Sequence, residues 1–209
     1  MKLSNSKILN FVLFLAIIAL VGGGVLAWQA GWFKEVSDDG GAAPQSGAAQ
    51  EQAQAEQKKL AQAAGELSVA PLSETYEDPD FGFSLNYPSA LALTQIPADP
   101  ESGAAETIIF EQAGAGLGFQ IAVSPFTEEN ADITPERIKV DIPDMVIFDP
   151  EDVNLGALGK GTTFLDGDAK ASGANRQIWF AGNGYLFQIT AVAAFDPVMQ
   201  KILATWKFE

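Results

Sequence analysis

From Phe81 to Tyr87 large and small side chains alternate: Phe81, Phe83, Leu85 and Tyr87 are separated by Gly82, Ser84 and Asn86. A period of two puts every large side chain on one face of an extended strand. The spacing therefore predicts the inner face of a sheet rather than an aromatic platform for a ligand, where polar partners would stand among the rings. Pro88 and the small residues after it end that strand. A second is predicted at LALTQI, 91–96, where Leu91, Leu93 and Gln95 oppose Ala92, Thr94 and Ile96. ETIIFEQ (106–112) and GLGFQIAVSPF (116–126) follow as a pair joined by the Gly/Ala turn at 113–116, with Phe119, Ile121 and Val123 facing inward. Two more strands are predicted around 153–157 and at GTTFLD, 161–166. The intervening GALGKG lacks the spacing of a phosphate-binding loop and reads as a turn. The clearest hairpin is NRQIWFAGNGYLFQITAVAA, because Asn183-Gly184 suits a type I′ turn and then sets Phe180 opposite Phe187 and Ile178 opposite Ile189.

Helical spacing appears in three places. Thr134 is a good N-cap, Pro135 suits the first helical position, Ile133 is placed to pack on Ile138, and Pro143 limits the helix to about two turns. In FDPVMQKILATWKF, Asp196 is the expected cap, and Phe195, Val198, Met199, Ile202, Leu203 and Trp206 form a stripe that must lie on a sheet. AAQEQAQAEQKKLAQAA, 48–64, is rich in helix formers, but Leu60 is its only large apolar residue, so it has no seam for a coiled coil. Together with the Gly/Ala/Gln-rich residues around it, it is expected to be a spacer covering 29–73, with the globular domain at 74–209.

Residues 8–28, ILNFVLFLAIIALVGGGVLAW, carry no charge. At about 1.5 Å per residue they reach about 30 Å, the thickness of a bilayer's hydrocarbon core. Lys2 and Lys7 precede the run, while Glu35, Asp38 and Asp39 follow it. The positive-inside rule then leaves residues 1–7 in the cytoplasm and sends the rest across. The anchor is expected to present Ile8, Phe11, Phe14, Ile17, Leu20 and Trp28 to lipid. Val25-Leu26-Ala27 also has the small residues of a signal-peptidase site, so secretion after cleavage near Ala27 is the alternative. No cysteine follows the run, which excludes a bacterial lipidated N-terminus.

The 209 residues contain neither cysteine nor histidine. That removes thiolate nucleophiles, Ser-His-Asp triads, imidazole acid–base chemistry and ordinary zinc or copper sites. No cofactor is implied. Asp and Glu number 27 against 12 Lys and Arg, and from Ala70 onward the counts are 21 and 7, a net of −14, which excludes a nucleic-acid partner. The close carboxylates are Asp78 with Asp80, Asp149 with Glu151 and Asp152, and Asp166 with Asp168. Each lies beside Pro or Gly, where Asp is expected to bond its own backbone in a turn. None supplies the ligand run of an EF-hand.

The YEDPDFGFSLNYPS opening, the paired strands, the TPERIKVDIPDM connector, the IWFAGNGYLFQIT ribbon and the closing FDPVMQKILATWKF helix together resemble the PsbP-like superfamily over about residues 75–208. The resemblance implies an α+β fold, a twisted, mostly antiparallel sheet sandwiched between helices. It does not transfer the photosystem subunit's metal or partner contacts, since there is no histidine to match them. On this reading the chain is not an enzyme but a membrane-tethered extracytoplasmic module. Its partners are the bilayer, through 8–28, and an envelope protein still to be identified. The alternatives are a small-molecule or calcium binder using a pocket between sheet and helices and, more remotely, a carboxylate-based hydrolase.

Overall fold

A computed structural model describes residues 47–98, 105–128, 132–154, 160–166 and 174–209. The expected anchor at 8–28, with Ile8, Phe11, Phe14, Ile17, Leu20 and Trp28, lies outside the described residues. Among those described, no helix is long and apolar enough to cross a membrane.

The strands are β1 (Glu74–Asp78), β2 (Phe83–Tyr87), β3 (Ala92–Ile96), β4 (Glu106–Gln112), β5 (Leu117–Pro125), β6 (Phe148–Asn154), β7 (Lys160–Leu165), β8 (Asn175–Gly182), β9 (Tyr185–Val192) and β10 (Lys207–Phe208). The helices are α1 (Gly47–Val69), α2 (Pro135–Asp141) and α3 (Asp196–Leu203), the last entered through a 3-10 turn at Ala193–Phe195. A seven-stranded sheet runs β3-β4-β5-β9-β8-β7-β6, a three-stranded one runs β1-β2-β10, and every pairing is antiparallel. This is the α+β class that the family resemblance implies.

Cross-strand register explains why the large sheet has one greasy face. Ile108, Ile121, Ile189 and Ile178 stand opposite one another across four strands. A parallel row holds Phe110, Phe119 and Ala191, and another holds Val123, Phe187 and Phe180. On this inner face lie the small sheet, α3 and α1, in one continuous core. Phe83 of β2 stacks on Trp206 with ring centroids 4.2 Å apart, while Phe180 and Phe187 meet the Trp206 ring edge-on at 5.3 and 5.4 Å. The opposite, outer face is covered at its β7–β8 end by α2, where Ile133, Ile138, Phe164 and Trp179 form a second core. Thr134 Oγ1 accepts from the Arg137 N–H at 3.2 Å, as the capping pattern required, and Ile133 and Ile138 are both buried. Arg137 also holds Glu128 through both guanidinium NH groups and Asp141 through Nε at 3.2 Å.

The Asn183-Gly184 hairpin has the expected register, Phe180 facing Phe187 and Ile178 facing Ile189, and both turn residues have positive φ, 51° and 82°. The Asn183 side chain does a second job, donating to the Gly82 carbonyl at 2.9 Å. Gly82 itself has φ 65°, and a Cβ there would stand 2.8 Å from that amide, so the turn ahead of β2 requires glycine.

Several boundaries differ from the sequence expectation, each for a physical reason. The strand predicted from Phe81 begins at Phe83, because Phe81 and Gly82 complete a turn that lets β1 pair with β2. β1 was not foreseen: ETYED is mostly polar, and only Tyr76 and Asp78 are buried. β3 exposes all its residues despite its alternation, since it lies at the sheet edge, and Leu91, the buried residue of that stretch, precedes it. The strand expected at 153–157 starts earlier, at Phe148, through a bulge between Phe148 and Glu151. Asp196 is not the cap of α3 but its first residue; its carboxylate lies 3.4 Å from Arg176 Nε instead. Trp206 follows the end of α3, beside the unforeseen β10.

The spacer expectation also fails for its last turns. α1 continues to Val69, with Ala64 and Leu67 buried in the main core and Leu60 packed against it. Lys201 of α3 donates to the carbonyls of Ser68 at 3.0 Å and Ala70 at 2.6 Å, so a cation from the domain occupies the negative end of α1.

Candidate functional site

Among the described residues, two places gather buried polar side chains that bond to one another. The first is a ladder across the outer face of the large sheet. Gln120, Thr190 and Gln177 are cross-strand neighbours on β5, β9 and β8, and all three are buried. Thr190 Oγ1 donates to Gln177 Oε1 at 2.8 Å, and Trp179 Nε1 donates to the same oxygen at 3.2 Å. Gln177 Nε2 donates onward to Asp166 Oδ2 at 3.0 Å, which also accepts from Asn175 Nδ2 at 3.0 Å, while Asp166 Oδ1 takes the Asn175 backbone N–H at 2.7 Å. The donors therefore run one way along the ladder and end on a carboxylate. Gln120 is 6% exposed, and its Nε2 has no acceptor. Beside the ladder lies a groove lined by Ile109, Glu111, Leu117, Gln120, Thr190 and Val192, among others, with a volume of about 80 Å³. Sites that bury a drug-sized molecule measure roughly 300–1,000 Å³.

The second place is the corner of β1, where Tyr76 Oη donates to Asp78 Oδ2 at 2.6 Å and accepts from Gln95 Nε2 at 2.8 Å. Asp78 Oδ1 accepts the backbone N–H groups of Asp80 (3.1 Å) and Phe81 (3.2 Å), which makes it the turn-forming aspartate that the sequence implied. Burial first, then the bond to Asp78 and its charge, push the Tyr76 phenol well above its ordinary range. Burial, then the charges of Asp78 and Asp80, raise the Glu106 carboxyl as well. A phenol that holds its proton this firmly is a poor acid, and both Asp78 oxygens are committed to hydrogen bonds. Glu106 there meets the charges of Asp78 and Asp80, and among the described residues no activated nucleophile stands beside them.

Of the other carboxylate groups, one lies wholly within the described residues. Asp149, Glu151 and Asp152 are exposed on the edge strand β6, Asp149 with φ 53°, and Asp152 reaches Lys160 only at 4.0 Å. Asp166 is used by the ladder; Asp168 lies outside the described residues. Among the described residues no group of three or more Asp or Glu is placed to hold a metal. The ladder was not foreseen, because Gln and Thr at alternating strand positions look the same whether exposed or joined; only the register brings them together.

The sequence matches no family model and no curated protein. Among solved structures, the chain is similar to the solution structure of cyanobacterial PsbP (CyanoP) from Synechocystis sp. PCC 6803, at 12% identity over 68% of this chain and 95% of that one, with a TM-score of 0.46. It is also similar to a crystal structure from Bacteroides thetaiotaomicron, at 14% identity over 66% of this chain and 49% of that one, with a TM-score of 0.42. At these identities and TM-scores the likenesses carry no family, residue role or partner across.

Proposed function

We propose that this chain is a membrane-tethered, extracytoplasmic and non-catalytic domain that works by binding another protein of the cell envelope. The reading rests above all on the filled interior: the inner face of the large sheet is packed by aromatic and aliphatic side chains, and the groove on its outer face holds only about 80 Å³. A groove of that size is too small to enclose a drug-sized substrate, so among the described residues the reading favours recognition at a surface. The tether rests on the uncharged run 8–28, with Lys2 and Lys7 on one side and Glu35, Asp38 and Asp39 on the other. The lack of cysteine and histidine supports a non-catalytic role, because the side chains most suited to covalent or proton-transfer chemistry near neutral pH are missing.

A periplasm-active reporter fused after Glu209 tests the placement: activity is expected beyond the membrane, and a reporter active only in the cytosol refutes it. Mass measurement of the mature chain distinguishes a retained anchor from cleavage near Ala27. Crosslinking of the full-length protein in its own membrane is expected to yield a specific envelope partner; its absence removes the interaction role.

A further inference from the structure

The two edges of the large sheet are built differently, and the difference points to where a partner docks. β6 is guarded in the ways that edge strands usually are: Pro150 lies within it, a bulge interrupts it between Phe148 and Glu151, Asp149 has a left-handed backbone, and Asp149, Glu151 and Asp152 charge it. β3, at the other edge, has none of these devices. Its sequence ALTQI contains no charge, proline or glycine, its pairing with β4 is regular from Ala92 to Ile96, and every residue is exposed. Leu93 and Ile96, each 38% exposed, leave apolar surface on both sides of the strand. An unguarded edge of this kind presents a row of backbone donors and acceptors to any added strand.

The charge around β3 selects the occupant. Between Lys59 and Arg137 the sequence contains no lysine or arginine, so the only charges in the segment forming β1 to β5 are acidic, clustered in β1, in the turn after it and in β4 with the residues just before it. Glu106 and Glu111 lie on β4, the strand next to β3, and the charges of Asp78 and Asp80 reach Glu106, whose carboxyl is raised first by burial and then by those two charges. A second copy of this chain would bring the same charge to the same edge and be repelled, whereas a basic segment would be attracted.

We propose that β3 is a docking edge for β-strand addition, and that its occupant is an extended, lysine- or arginine-bearing segment of another protein with apolar residues at alternate positions. Backbone hydrogen bonds along Ala92–Ile96 provide the attachment, Leu93 and Ile96 the apolar contacts, and the acidic surroundings the preference for a basic strand. This rests on the interaction-module reading and specifies its surface.

The test uses the full-length protein in nanodiscs and a fluorescent Lys-flanked Val-Thr heptapeptide, read by anisotropy. Binding is expected, weakened at least tenfold by N-methylation of alternate peptide amides, by glutamates in place of the lysines, and by Thr94→Lys. Asp152→Lys, on the guarded edge, is expected to bind within twofold of wild type. The assignment is overturned if no peptide binds, if the N-methylated peptide binds as well as its parent, if Thr94→Lys has no effect, or if the protein instead dimerises through β3. A photo-crosslinking residue placed at position 94, and separately at 140 on α2, then divides the two levels of inference in the native membrane. Partner crosslinks from position 94 support the docking edge. Crosslinks from position 140 alone overturn it and leave the interaction module standing, and none from either overturns both.

Discussion

Leu67 lies in the part of the chain that composition assigns to a solvated spacer, yet its side chain is 3% exposed in the main core, while Val69, two residues on, is 81% exposed. Replacing Leu67 by Ala removes three carbons from a buried site, a transfer loss of about 2.4 kcal/mol at about 0.8 kcal/mol per carbon. A cavity term is added, and buried Leu→Ala changes generally cost about 2.7–5.0 kcal/mol. Two effects pull the figure down: a helix at the rim of a domain can settle into the space, and Ala is a few tenths of a kcal/mol better in a helix than Leu. The expected loss is about 3 kcal/mol, or roughly 6–12 °C in Tm for a domain of this size. Urea unfolding of a soluble 47–209 fragment, followed by the fluorescence of Trp179 and Trp206, measures it. Val69→Ala should stay within about 0.5 kcal/mol of wild type. Lys201→Met, which frees the carbonyls of Ser68 and Ala70, should cost about 1–2 kcal/mol. If Leu67→Ala is as neutral as Val69→Ala, α1 is a free stalk and its docking is refuted.

Other outcomes follow from the same structure. Because Glu106 holds its proton more tightly in the folded than in the unfolded chain, its contribution is complete below the unfolded carboxyl range and is lost as pH rises through the folded value. Glu106→Gln should therefore melt higher than wild type at pH 7 and lose that advantage below about pH 4; an equal difference at both pH values refutes the cause given. Tyr76 is raised in the same sense, so wild-type stability should fall as pH passes about 10, where the unfolded phenol ionises, and Tyr76→Phe should lack that decline in urea midpoints. A Cβ at Gly182 would stand 2.7 Å from the Phe208 ring, so Gly182→Ala should cost about 1–3 kcal/mol by displacing β10. Phe208→Ala should relieve much of that penalty, which a double-mutant cycle reads directly. Millimolar calcium should leave the Tm unchanged, and a reproducible rise would restore the cation-binding alternative.

The strands most legible in the sequence were those whose burial depends on one face alone. In 178–189 the turn chemistry and the apolar alternation agree, so element and register could both be read. Thr134-Pro135 announced α2 because a cap is a local event. Legibility failed where distant residues decide the outcome. β1 is a strand because β2 pairs with it, and its own composition is polar. LALTQI alternates as cleanly as FSLNY, but nothing local tells an edge strand from one under a helix. α1 looked like a stalk because Leu60, Ala64 and Leu67 form too thin a stripe to suggest burial, and the groove they fill is made by α3 and the sheet. The ladder of Gln120, Thr190 and Gln177 needs three strands in register before its polarity has any meaning.

Thr205 donates no part of its hydroxyl to chance: its Oγ1 accepts the Asn86 backbone N–H across 119 positions of sequence, just ahead of the Trp206 ring that covers Phe83. Until residues 205–208 have emerged, β2 has β1 on one side but lacks its second neighbouring strand, and the aromatic cluster lacks its lid. A chain still being made therefore lacks this closure, and its aromatic core can be completed only once that distant stretch arrives. Molecules cut short before position 205 would be left with Phe83 and Phe187 uncovered, marking them for proteolysis.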